Sequence, residues 1–66
     1  MQIEINGELK IVSEHLTAQQ LLQALGMEDK RLALEINQEI VSRSTLSERV
    51  IQPGDKVEII HAIGGG

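Results

Sequence analysis

The chain contains no cysteine, no phenylalanine, tyrosine or tryptophan, and a single proline. Without cysteine there is no disulfide framework, no thiolate metal ligand and no thiol nucleophile. Without aromatic rings there are no stacking platforms for bases, and basic side chains are outnumbered as well. Six Lys and Arg stand against ten Asp and Glu, for a net charge of −4. Phosphate neutralisation needs the opposite balance, so a nucleic-acid binder is excluded as the leading expectation. No apolar run approaches the ~18 residues that span a bilayer. The first residues lack the basic segment and apolar core of a signal peptide, so a cytoplasmic location is expected.

What is present is aliphatic. Nine Ile, eight Leu and four Val make up most of the 41% hydrophobic content of 66 residues. One domain is expected, because a chain of this size hides only ~60% of its unfolded surface and needs nearly all its aliphatics for one core. A substrate cavity would remove packing that such a domain requires, which argues against a self-contained enzyme.

Ile3 and Ile5 alternate with polar residues before Asn6-Gly7, and Leu9 and Ile11 do so after it, the pattern of two half-buried strands joined by a hairpin. For both apolar rows to share a face, Ile5 must lie opposite Leu9. The expectation is therefore a three-residue loop or a bulge, not a two-residue turn. Thr17 and Gln20 have the spacing of a capping box, with Leu16 and Leu21 as the flanking hydrophobic staple. The spacing predicts a helix over 18–25, with Leu21, Leu22 and Leu25 on its apolar stripe. Gly26 is placed to close it in the left-handed conformation, with Met27 packing back on the last turn.

Leu32, Leu34 and Ile36 alternate as a third strand, and Asn37-Gln38 turns the chain into a short fourth strand over 39–42. Residues 43–52 are irregular, with one turn of helix expected and with Leu46 and Val50 or Ile51 pointing inward. Pro53-Gly54-Asp55 is a turn. The run 57–63 is a fifth strand, apolar enough to be central with both faces covered or sticky. One helix across a mixed sheet of four to five strands, with the first and last strands adjacent, is an α+β β-grasp arrangement of the ubiquitin-like type. The domain is expected to span 1–63, followed by a flexible glycine tail, 64–66.

Most polar signals are unspecific. His15 and His61 are far apart and lack metal-ligand spacing, so no metal site is expected. Ser42, Ser44 and Ser47 lie in the irregular segment without a nucleophile motif. Glu4, Glu35, Glu39 and Glu58 fall on strands, expected on the solvated face.

Gly64-Gly65-Gly66 is different in kind. Taken as the end of the polypeptide, the triplet is expected to present the α-carboxylate of Gly66. It follows the last strand directly, without the Ser or charged spacers of a flexible linker. From Ala62 to Gly66 the extended reach is about 16 Å at ~3.3 Å per residue, enough to enter another protein's active site. Strand alternation turns Ile60 and Ala62 outward near Ile63 if Val57 and Ile59 face the helix, and these three form a candidate docking patch.

Asn37–Val41 (NQEIV), Arg43-Ser44, the run Pro53–Ile59 (PGDKVEI) and the closing His61–Gly66 (HAIGGG) together resemble the ThiS family of sulfur carriers in thiamin thiazole synthesis. The likeness covers essentially the whole chain. Leu46 departs from it, standing where many relatives have an aromatic residue, and Ser42 stands where proline is common. The resemblance implies that an E1-like ThiF-type enzyme, using ATP and Mg²⁺, adenylates the Gly66 carboxylate. A sulfur donor system then converts it to a thiocarboxylate, which serves a ThiG-type thiazole synthase. It also implies that Gly64, Gly65 and Gly66 thread the partner's site, and that the protein is a cosubstrate with no catalytic residue and no bound cofactor. A molybdopterin-type carrier, a ubiquitin-like modifier and a TGS-like binding module remain alternatives.

Overall fold

The computed structural model describes residues 1–28 and 31–61. The expected boundary between residues 63 and 64 lies outside them. The elements are β1 (Gln2–Ile5), β2 (Glu8–Ile11), α1 (Ala18–Ala24), β3 (Leu32–Ile36), β4 (Glu39–Val41), a 3₁₀ turn (Arg43–Thr45) and β5 (Lys56–His61). The five strands form one sheet in the order β2-β1-β5-β3-β4. β1 and β5 run parallel in the middle while the other neighbours are antiparallel. One helix on a mixed five-stranded sheet is the β-grasp α+β fold. Among the described residues, no helix is long and apolar enough to cross a membrane.

The helix begins and ends as its sequence dictates. Thr17 accepts a hydrogen bond from the Gln20 backbone, and the Gln20 side chain accepts one from Thr17 N–H, so the capping box is complete. The remaining free donors of the first turn, Ala18 and Gln19 N–H, reach the carbonyls of Arg49 at 2.7 Å and Leu46 at 3.0 Å. At the other end Gly26 takes φ +72°. Its N–H bonds to Gln23 C=O and Met27 N–H bonds to Leu22 C=O, a Schellman closure that glycine adopts without a Cβ penalty. Leu25 is the C-cap and stands exposed, not on the buried stripe, because the last turn winds it past the sheet. Ala18, at the other end of the helix, is fully buried and joins Leu21 and Leu22 on its covered side.

Ile3, Ile5, Ala18, Leu21, Leu22, Leu34, Ile36, Ile51, Val57 and Ile59 form the core between helix and sheet. Ile51, not Val50, points inward, and Leu46 packs partly buried beside it. The segment between them is irregular because its carbonyls serve the helix N-terminus, and Ile51 N–H bonds to Leu16 C=O at 2.7 Å.

The first hairpin departs from expectation. Ile5 lies opposite Glu8 and Glu4 opposite Leu9, which leaves a two-residue turn. Asn6 and Gly7 both have positive φ, 49° and 84°, so the preference of Asn-Gly for the tight turn overrides the matching of apolar rows. Leu9 and Ile11 therefore face away from the helix and are 66% and 78% exposed. The second hairpin repeats the device at Asn37 and Gln38, with φ 53° and 70°. There Glu39 lies opposite Ile36, on the helix side and not on the solvated face, and β4 stops at Val41. β5 is central, but only one of its faces is covered: Val57 and Ile59 are buried while Lys56, Glu58 and Ile60 are exposed.

Candidate functional site

The glycine triplet singled out in the sequence follows β5, and three side-chain amides or carboxylates hold that strand in place. Asp55 is the only charged residue among the described ones that is buried, at 6% exposure. One of its carboxylate oxygens accepts from the Asn37 side-chain amide at 3.0 Å, the other from Gln52 N–H at 2.8 Å. Asn37 Oδ1 in turn accepts from Lys56 N–H at 3.0 Å. On the other flank the β1 ladder ends with Asn6 N–H donating to Val57 C=O, and Asn6 Oδ1 extends it by accepting from Ile59 N–H at 2.8 Å. Both tight-turn asparagines thus serve twice: they tolerate the left-handed backbone, and their side chains pin β5 from either side.

So held, β5 delivers its last described residues, Ile60 and His61, to one end of the sheet. Ile60 is 49% exposed on the face away from the helix. Ala33 lies directly opposite it on β3. One row further along, Glu58, Glu35 and Ile40 lie side by side across β5, β3 and β4, and Ile40 is 75% exposed. The patch beside the chain's exit is therefore two isoleucines and an alanine bordered by two carboxylates on directly opposed residues. Like charges so placed repel, and a cationic group laid over them relieves the repulsion. Ile40 and Ala33 escape a reading by alternation alone; only the register of the second hairpin against β5 brings them to Ile60.

Of the other residues proposed for the site, Ala62, Ile63, Gly64, Gly65 and Gly66 lie outside the described residues. His15 is exposed with φ 64° just before the helix cap, and His61 is exposed at the sheet's end, so the two are not brought together. Ser42 hydrogen-bonds to Ser44 and Thr45 at the 3₁₀ turn, a local use of those hydroxyls. Among the described residues no group of three His, Cys, Asp or Glu is arranged to hold a metal ion. A cleft of about 360 Å³ lies between the helix end and β3–β4, with Leu22, Met27, Leu32, Leu34, Val41 and Leu46 among its lining residues. Its walls are mixed, since Gln19, Glu28, Arg43 and Ser47 line it alongside these aliphatics.

Comparison with known proteins agrees with this arrangement. The model of the ThiS family matches residues 2–66. The chain is 33% identical to the sulfur carrier protein ThiS of Escherichia coli (strain K12), with 100% of each chain covered. It is 41% identical to a thiazole synthase of Paramagnetospirillum magneticum, where the match takes in all of this chain but spans only 20% of that protein's length. Among solved structures, the thiamine biosynthesis protein ThiS of Geobacter metallireducens superposes with a TM-score of 0.88 at 30% identity, with 100% of both chains covered. Matched by the family model over residues 2–66 and by these carriers over its whole length, the chain belongs to the ThiS family.

Proposed function

We propose that this protein is a sulfur carrier for thiazole formation in thiamin biosynthesis, and that the sulfur rides on the α-carboxyl of Gly66. A carboxylate is a poor acyl donor, so an E1-like, ThiF-type partner first activates it. A carboxylate oxygen attacks the α-phosphorus of Mg²⁺-bound ATP, pyrophosphate leaves, and an acyl-adenylate results. A persulfide sulfur from the donor system then attacks the acyl carbon and AMP leaves. A second thiol cleaves the resulting S–S bond and leaves the thiocarboxylate, a soft nucleophile that passes its sulfur to a thiazole synthase of the ThiG type. Gly64, Gly65 and Gly66 thread the partner's site because they bring no side chain past its walls. ATP and Mg²⁺ belong to the activating partner; this chain contributes the cosubstrate and no catalytic residue.

The observation that carries this reading is the end-to-end correspondence with a sulfur carrier of the same extent in Escherichia coli, at 33% identity over 66 residues. The thiazole synthase relative supports the choice of acceptor, since there a domain of this kind is part of a thiazole synthase polypeptide. The same match favours a second reading, in which residues 1–66 are the carrier portion of a longer synthase. Ile60, Ala62 and Ile63 form the docking surface, joined by Ile40 and Ala33, with Glu35 and Glu58 calling for basic side chains on the partner.

Intact-mass spectrometry tests the proposal after incubation with an E1-like enzyme, ATP, Mg²⁺ and a sulfur donor. The expected gain is that of one oxygen exchanged for one sulfur, localised to Gly66 by fragmentation. An unchanged mass alongside an enzyme that activates another carrier refutes it. The mass of the protein isolated from its own cell separates a free carrier from a piece of a longer synthase.

A further inference from the structure

The outer edge of β2 is complementary to itself. Val12 N–H donates to Met1 C=O at 2.8 Å and the Met1 amine donates back to Val12 C=O, so Met1 and Val12 are a hydrogen-bonded pair. Antiparallel ladders alternate, which makes Ile3–Lys10 and Ile5–Glu8 the other bonded pairs. Leu9 and Ile11 therefore turn their backbone N–H and C=O away from β1, toward the open edge. At the opposite edge the bonded pair Ile36–Glu39 flanks the tight turn, and within β4 only Ile40 turns its backbone outward. All four side chains of β2 are exposed.

The charges on this edge select its partner. Glu8 and Lys10 share one side of the strand, with Lys10 Nζ 3.4 Å from a Glu8 carboxylate oxygen, and Leu9 and Ile11 share the other. Two copies of one strand pairing antiparallel about a twofold axis normal to the sheet must match residues of the same side. If Lys10 lies opposite Lys10, like charges meet. If Leu9 lies opposite Leu9, each Glu8 meets Lys10 of the second copy, in the closely spaced non-bonded position, and Ile11 meets Gly7, which has no side chain to obstruct it.

We propose that two copies of this protein associate through β2 in the second register, joining their sheets into one of ten strands. Leu9 N–H and C=O bond reciprocally across the axis, Leu9 and Ile11 of both copies form one apolar ridge, and two intermolecular Glu8–Lys10 pairs flank it. The contact lies beyond β1 from β5, so Ile60 and Ile40 stay uncovered in both copies. Four-residue strands bury less than the standard interface, so the association is weak and shows at about 1 mM.

Sedimentation equilibrium and two-dimensional amide NMR on the full chain test this across a dilution series. The apparent mass is expected to rise from 7.3 kDa toward twice that value. The Leu9 and Ile11 amide signals should move with concentration while those of Ile40 and Ile60 stay fixed. Lys10→Glu turns both flanking pairs from attraction to repulsion and should lower the association constant about tenfold, while adding Glu8→Lys to it should restore association. Both side chains are exposed, and thermal melts establish that the variants fold. A mass fixed at the monomer value, concentration-dependent shifts at Ile40 and Ile60 in place of Leu9 and Ile11, or a charge exchange that fails to restore association would each overturn the proposal. If the true occupant of this edge is an extended strand of another protein, the first of these is the result.

Discussion

Replacing Asp55 should unseat the strand on which the proposed function depends. Its carboxylate accepts from the Asn37 amide and from Gln52 N–H, both within 3.0 Å, in a position shielded from water. Hydrogen bonds to a charged acceptor contribute roughly 1.5 kcal/mol each or more, so Asp55→Ala should cost about 3 kcal/mol and leave two donors without a partner. A domain of this size has a total stability of roughly 3–10 kcal/mol, so the loss is a large fraction of the whole. With an unfolding entropy of ~2.1 cal/mol/K per residue, it corresponds to a fall in Tm of about 20 °C. Asp55→Asn should cost about half as much. Its carbonyl satisfies one donor while its NH₂ confronts the other, and Asn37 cannot flip to help without abandoning Lys56 N–H. In an Asn37→Gly background, which keeps the left-handed turn, Asp55→Ala should cost about 1 kcal/mol less because one of its partners is already gone. Far-UV circular dichroism is the appropriate probe, since the chain has no aromatic side chain to report. If Asp55→Ala melts within about 5 °C of the parent, or if Asp55→Asn is the more damaging, the network does not carry the load assigned to it.

Ile60→Asp should fold normally, because the side chain is half exposed, yet slow adenylation by about tenfold or more; pyrophosphate release at fixed partner concentration measures it, and an unchanged rate removes Ile60 from the docking surface. Leu46→Phe enlarges a side chain lining the cleft beside Leu22 and Val41 and should raise Tm by a few degrees; a lower Tm would mean that the cleft is too narrow for the ring. Gly26→Ala should cost about 1 kcal/mol by urea melt, through the backbone alone, since φ is +72° but a Cβ there meets no atom within 4 Å.

Much of this fold is legible in local pattern, and the exceptions share a cause. The helix is written in Thr17, Gln20 and Gly26, each acting within a turn of its own position. Ile60 on the open face follows from strand period once Val57 and Ile59 are assigned to the core. The first hairpin is misread because two local signals conflict: the apolar rows ask for Ile5 opposite Leu9, while Asn6-Gly7 asks for Ile5 opposite Glu8. Turn chemistry prevails, since the positive φ of both turn residues is fixed locally. Asp55 is opaque for another reason. Read in sequence it is a turn residue; its partner Asn37 lies 18 positions away, and no periodicity joins them. Ile40 and Ala33 are likewise invisible without the register of three strands.

That conflict over β2 bears on function. The buried residues of the sheet, Ile3, Ile5, Leu34, Ile36, Val57 and Ile59, all lie on β1, β5 and β3, so the core occupies the three middle strands and the two edge strands are its margins. An ordinary margin would put polar residues on the wet face and aliphatics toward the helix. On β2 the polarity is reversed, with Glu8 and Lys10 on the helix side and Leu9 and Ile11 facing water; on β4 Glu39 and partly buried Val41 share the helix side while Ile40 faces water. None of Leu9, Ile11 and Ile40 contributes to the chain's own core, and each forgoes a burial worth roughly 1.5–3 kcal/mol. In a domain with so little stability to spare, aliphatics placed outward at both margins are explained by what comes to cover them. The Ile40 margin shares its open face with Ile60 of β5 and fits the proposed activating partner; the Leu9–Ile11 margin lies on the other side of β1 and fits the proposed second copy.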